Sequence, residues 1–281
     1  MNNEHGLTAE FFRMVGIEPN SLLDDLPWEE VKDDNRRRVN NMKRYFIVLD
    51  EDGTSLHGGY AVTWSLPTHN DDGTWTPGDW MPRAEGELSL YGDGYKVGTL
   101  DQIINWLGPR IFEVEVGNEI IHDKKKSIAR TCRLLREYTN WNERNARLFA
   151  CDCAERVLDI FERAFSDDDR PRKAIQTARC YANDNATHEE LKAIQEEMEH
   201  LERCIDSYTP HVFAGYVDAI WSVVKAASKT TVIEEHKNLV YAAITSVALY
   251  AVEAIKMTLG DYWASVEAHW QACRLLDILE G

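Results

Sequence analysis

Glu113 and Glu115 stand two apart in the alternating run 111–116, and on a β-strand that spacing turns both carboxylates to one face while Phe112, Val114 and Val116 take the other. Such a pair can act on one substrate group, which makes it the catalytic alternative in this chain; otherwise that face is solvent-exposed. Asp167, Asp168 and Asp169 follow one another, and carboxylate oxygens suit a hard cation such as magnesium or calcium. Consecutive side chains rarely converge on one point, however, and the spacing is not that of a calcium loop, so a helix cap is the favoured reading. Cys151 and Cys153 point in different directions on a helix, and no second Cys or His pair completes a zinc set. The chain has no His-Glu-x-x-His, no Gly-x-Ser-x-Gly, no phosphate-binding glycine loop and no dinucleotide fingerprint. Neither a metal nor a cofactor is expected.

The elements that must position these residues fall into three segments: 1–42, 43–138 and 139–281. The first reads as a small helical preface, with helices near 8–15 and 27–42; its basic triplet, Arg36, Arg37 and Arg38, reads as a solvated face beside Asp33 and Asp34. The second is an α+β module. Residues 45–49, 60–66, 87–90, 111–116 and 127–135 are strand candidates bounded by turn sequences, and one helix over 100–107 ends at Gly108-Pro109.

The third segment is an all-α helical bundle. Its first helix carries one stripe of Leu148, Cys151, Ala154, Leu158, Phe161 and Phe165 beside a second of Phe149, Cys153, Val157 and Ile160, wide enough for two neighbours. Pairs of acid and base four apart, such as Asp152 with Arg156, support it. After the turn 166–172, with its N-cap carboxylate and Pro171, comes a second helix. A third opens with the capping box Thr187 to Glu190, then runs Leu191, Ile194, Met198, Leu201 and Ile205 as a narrow apolar seam. Around that seam lie Glu189, Glu190, Glu196, Glu197, Glu199 and Glu202, the best candidates for a protein-binding surface together with Asp167, Asp168 and Asp169. Helices over 211–228, 233–259 and 261–279 complete the bundle, with Trp221, Trp263 and Trp270 as anchors.

Composition bounds the partners. The formal net charge is −17, about −8 up to Tyr138 and about −9 beyond it. Such a field repels phosphate backbones, so no direct nucleic-acid binding is expected unless the fold gathers a basic patch. It suits a basic protein partner, or the nucleic-acid-binding surface of one. The longest apolar run, 239–252, spans 14 residues where a bilayer needs about 20, which reads as a buried helix and no membrane association. The first residues lack a secretory leader, which places the chain in the cytoplasm. The six cysteines are read as free thiols, mostly in the core.

The stretch from Trp141 resembles a helical family of immunity proteins of bacterial toxin systems. The residues that carry the likeness are 146–150 (ARLFA), 153–157 (CAERV) and 167–172 (DDDRPR) with Ala174-Ile175 and Ala178-Arg179, and more loosely the alanine-rich helix after Tyr241 and Trp270-Gln271. The resemblance implies neutralisation of a partner by binding. The chain departs from that family in its glutamate-heavy helix from His188 to Arg203 and in the whole module before it. Residues 85–97, 106–110 and 112–115 resemble a domain of unknown function common in bacteriophage and mobile-element proteins, which implies a genomic context and no mechanism. Together these point to an acidic, non-catalytic, phage- or mobile-element-encoded inhibitor of host defence or immunity protein. The alternatives are an ADP-ribosyltransferase-like or other nucleotide-using enzyme built on Glu113 and Glu115, and a structural homo-oligomer joined through the seam 191–205.

Overall fold

The computed structural model of the protein describes residues 44–56, 63–207, 229–231 and 237–281. The helices expected over 8–15, 27–42 and 211–228, the Arg36 to Arg38 triplet and Trp221 lie outside the described residues. Strands occupy the N-terminal half and helices the C-terminal half, an α+β region followed by a helical one. The described residues form two compact units: 44–56, 63–146, 237–245 and 271–281 in one, and 147–207, 229–231 and 246–270 in the other.

Among the described residues the first unit holds all the strands: β1 (Tyr45–Leu49), β2 (Thr68–His69), β3 (Trp75–Thr76), β4 (Tyr95–Val97), β5 (Arg110–Val116), β6 (Ile120–His122), β7 (Ser127–Ala129) and β8 (Cys132–Glu137). They make an antiparallel sheet ordered β1-β5-β8, a second ordered β4-β7-β6 and the small β2-β3 ladder. Phe46 and Gly98 exchange backbone hydrogen bonds of 2.7 and 2.9 Å, stitching β1 to the chain just beyond β4. Only glycine fits there, since a Cβ on Gly98 would lie 2.9 Å from the Trp106 ring.

Alternation places Ile47 and Leu49 of β1, Phe112 and Val114 of β5, and Cys132 and Leu134 of β8 in one core with Trp64, Met81, Tyr95 and Val97. At about 25 cal/mol for each Å² of apolar surface removed from water, burial of this kind is the main force holding the sheets together. The outer edge of β8 is covered by an extended segment: the N–H groups of Gly78, Met81 and Ala84 donate to the carbonyls of Leu134, Cys132 and Arg130 at 2.9 to 3.0 Å. That pairing removes an exposed strand edge, a common route to aggregation.

The apolar run 45–49 and the alternating run 111–116 are both strands, and the latter begins one residue earlier, at Arg110. The run 127–135 is two strands, because the chain breaks between β7 and β8 at Arg130-Thr131. Residues 87–90 make a single bridge, Leu88 to Asp93, instead of a strand, and the described part of 60–66 is not a strand either. The short β4 and β6 carry too little alternation to stand out. The helix over 100–107 is α1 (Leu100–Ile103) tightening into a 3-10 turn, Ile104–Trp106.

The remaining helices are α2 (Glu143–Glu155), α3 (Leu158–Ala164), α4 (Arg170–Ala182), α5 (His188–Ser207), α6 (Lys237–Leu259) and α7 (Asp261–Glu280). The single helix expected after Trp141 is broken between α2 and α3, where Val157 has φ −107° and ψ 0° and the helical hydrogen bonds loosen to 3.3 and 3.4 Å. Its wide apolar face is otherwise as expected: Phe149, Cys151, Cys153, Ala154, Val157, Ile160 and Phe161 are buried, while Phe165 is exposed. In α6 the apolar stretch Leu239–Leu259 is 21 residues, longer than the run read from sequence and long enough to cross a membrane. More than half of it is buried inside the protein, including Val247, Ala248, Ala251, Ala254 and Ile255, as in the core helix of a folded domain.

Candidate functional site

In the sheet unit, β5 presents Glu113 and Glu115 on one face, and β8 presents an arginine to each. Glu113 is opposite Arg136 and Glu115 opposite Arg133. Arginines three apart on a regular strand would face opposite sides; here the register slips between Glu113 and Val114, leaving Leu135 as an extra residue that brings both guanidinium groups to the glutamate face.

Glu113 is enclosed by donors. Arg44 donates from Nε to Oε1 and from Nη2 to Oε2, both at 3.0 Å. Oε2 also accepts from Arg136 Nε at 2.9 Å and from the Tyr138 hydroxyl at 2.8 Å. Arg44 and Arg136 both reach the Tyr138 oxygen as well, and Arg44 Nη1 donates to Glu280 at 2.7 Å. Burial alone would raise the Glu113 pKa; the bonds from Arg44, Tyr138 and Arg136 outweigh it and hold the carboxyl below the usual carboxylate range. Burial and the Glu113 charge push the Tyr138 phenol upward. The expected solvent-exposed face is thus corrected: the Glu113 side chain is only 16% exposed, and Ile111 on the same face is fully buried.

Glu115 is more open and accepts from Arg133 Nε at 2.7 Å, while the Arg133 guanidinium lies 5.1 Å from the centre of the Trp80 ring. On the opposite face Arg110 forks onto Glu137 with bonds of 2.7 and 2.6 Å. The two glutamates share a face, but each is held by its own arginine. As found, Oε2 of Glu113 already accepts three hydrogen bonds, which suits it to anchoring the sheet better than to polarising a substrate hydroxyl.

In the helical unit the three aspartates of the acidic turn diverge. Arg170 forks onto Asp168, donating from Nε at 2.8 Å and from Nη2 at 2.5 Å, and its backbone N–H donates to the same carboxylate at 3.2 Å. The Arg170 bond is the main cause holding the Asp168 carboxyl below its ordinary value. Asp169 occupies the N-cap of α4, yet its carboxylate turns to Lys173 at 2.9 Å, so the capping acceptor is Asp168, one residue earlier than the cap position. Asp167 is exposed. Among the described residues no group of three or more His, Cys, Asp and Glu gathers to hold a metal ion.

The arginines of this region are engaged within the fold. Arg172 forks onto Glu162 with two bonds of 2.6 Å, joining α4 to α3, and Arg179 reaches Asp152 and Glu155 at 2.7 Å each, joining α4 to α2. Arg156 donates to the fully buried Glu267 at 2.7 Å and lies 4.0 Å from the centre of the Trp270 ring. The i to i+4 spacing of Asp152 and Arg156 carried no hint of these partners, since both reach other helices. Cys151 and Cys153 are buried free thiols whose pKa is pushed up by burial, the Cys151 thiol to about 12. Cys180 departs from the core expectation and is exposed.

Residues 136–213 match the family model described as Imm-5 like putative immunity protein. The match covers just over a quarter of the chain. It includes the acidic turn, α2 to α4 and all the described part of α5. The match supports an immunity-type binding function directed at a protein partner. Neither the curated proteins nor the solved structures contain a match. The matched residues do not reach 85–115, so the mobile-element likeness of that stretch rests on the sequence alone.

Within the matched region α5 is built as its sequence foretold. The Thr187 N–H donates to Glu190 at 2.7 Å and the Glu190 N–H to Thr187 Oγ1 at 3.1 Å, a complete capping box. Leu191, Ile194, Met198 and Leu201 are buried, and α5 packs along α4. Glu189, Glu190, Glu196, Glu197 and Glu199 are exposed, and none of them is in an ion pair among the described residues. Lys192 and Arg203 interrupt their face, and Glu202 is half-buried instead of part of the exposed crust. Lys124, Lys125 and Lys126 form a second basic triplet, masked in the acidic overall balance although its composition alone marks it.

Proposed function

We propose that this chain neutralises a basic protein partner by binding it, as an immunity protein or host-defence inhibitor carried by a phage or mobile element and acting in the cytoplasm. The observation that carries this reading is a division of charge inside the matched region. Asp152, Asp168, Glu155 and Glu162 are held by Arg170, Arg172 and Arg179, whereas Glu189, Glu190, Glu196, Glu197 and Glu199 of α5 are in no ion pair among the described residues. Carboxylates outside ion pairs on a packed helix attract a basic surface without first breaking internal pairs. The turn residue Asp167 adds a further exposed carboxylate.

The test is a pull-down of the tagged full chain from bacterial lysate, washed at low and high salt and read by mass spectrometry, beside the triple variant E196K/E197K/E199K. A partner retained by the parent chain should be lost by the variant, with affinity reduced at least about tenfold. A partner that binds both alike would remove α5 from the interface. A complex indifferent to salt would replace charge with an apolar contact as its basis.

A further inference from the structure

The lysines of the sheet unit make a charged feature separate from the acidic helix. Lys96 on β4 pairs with Ile128 of β7, which puts Lys126, two residues earlier, diagonally across on the same face, about 7 to 8 Å away along the backbone. Lys96 Nζ sits 4.3 Å from the centre of the Trp106 ring, and Lys126 Nζ 4.6 Å from that of Tyr91. Lys124 and Lys125 are exposed in the turn beside them, which is closed by the Asp123 N–H donating to the Lys126 carbonyl at 2.9 Å.

None of the four lysines is in an ion pair among the described residues. In the same unit the ion pairs are made by arginines: Arg44, Arg83, Arg110, Arg130, Arg133 and Arg136. Burial first, and then the neighbouring charge of Lys126, push the Lys96 ammonium down to about 8, with no carboxylate acting against them. Two ammonium groups therefore lie on one face, one of them half-buried, each against an aromatic ring and neither in an ion pair among the described residues. An anion seated between them would relieve both burial and repulsion.

We propose that Lys96 and Lys126 form an anion site for the phosphate group of a nucleotide or of single-stranded nucleic acid, with Lys124 and Lys125 at its rim. Lysines act as point charges well matched to phosphate, whereas this unit holds carboxylates with planar arginine forks. A phosphate monoester, with nearly two negative charges at neutral pH, balances two ammonium groups. Tyr91, 92% exposed, offers a ring for a base beside the site. The overall negative field does not forbid this, because at physiological salt charges beyond about 8 Å are largely screened while the lysine pair acts at contact.

The test uses the full chain and a fluorescein-labelled, 5′-phosphorylated oligothymidylate, followed by anisotropy, with ATP as competitor. Binding should weaken roughly fivefold or more in K96Q and in K126Q and stay unchanged in K256Q, a charge-matched control on α6. Displacement by ATP assigns the site to the nucleotide phosphate, and binding of the oligonucleotide without displacement assigns it to nucleic acid. Failure of the parent chain to bind either probe overturns the proposal, as does an equal loss in K256Q. Thermal melting of K96Q and K126Q beside the parent chain separates loss of the site from loss of the fold.

Discussion

Arg44 and Glu113 face each other through two hydrogen bonds of 3.0 Å, one to each carboxylate oxygen, and the same guanidinium reaches Glu280 at the end of the last helix at 2.7 Å. One arginine thus ties the first strand to the middle strand of its sheet and to the C-terminal turn of α7. Replacing Glu113 by Gln leaves Arg44 and Arg136 sharing a half-buried site without their counter-charge. Urea unfolding should show a loss of about 2 to 3 kcal/mol. A loss under about 0.5 kcal/mol would remove the cluster from the forces that hold the sheet.

Acid should act through the same residue. The Glu113 pKa is lower in the folded chain than in the unfolded one, so its contribution is fully present above the unfolded value of about 4.3. It is lost as pH falls through the lower folded value. The parent chain should lose stability faster than E113Q below about pH 4.3, and parallel curves would contradict the assignment.

Lys96 predicts a second rise of stability with pH, in alkali. Its pKa is about 8 in the folded chain against about 10.4 for an ordinary lysine, so between those values the unfolded chain binds the extra proton and stability rises with pH. K96Q should melt at or above the parent temperature at pH 7 and lack this rise. A variant melting well below the parent would show that the Lys96 contact with Trp106 outweighs its burial.

Arg156 and Glu267 form the most deeply buried ion pair described, with Glu267 at 0% exposure. R156A strands a buried carboxylate and should cost about 3 kcal/mol or more in a denaturant titration, whereas the volume-preserving double variant R156M/E267L should recover most of that loss. Additive losses in the double variant would mean that the two side chains stabilise the fold through separate partners.

Thr187 tests the acidic helix without touching its exposed glutamates. T187A removes the acceptor of the Glu190 N–H and should lower stability by about 1 kcal/mol, read as a shift in melting temperature. Partner binding should persist at temperatures where the variant is folded; its disappearance there would place the cap itself in the interface.

What the sequence determined by itself is what short-range rules govern. The apolar run of β1, the alternation of β5, the capping box and seam of α5, and the separation of a strand-rich half from a helical half all follow from local pattern and from residues a few positions apart. Tertiary structure alone decided which charges met. Arg44 lies 69 residues from Glu113, Arg156 lies 111 from Glu267, and Lys96 reaches Lys126 only through the pairing of β4 with β7. The Leu135 bulge that turns Arg133 and Arg136 to one face leaves no mark in local composition. Coulomb and hydrogen-bond energies depend on distance in space, and sequence specifies that distance only after hydrophobic burial has chosen the packing.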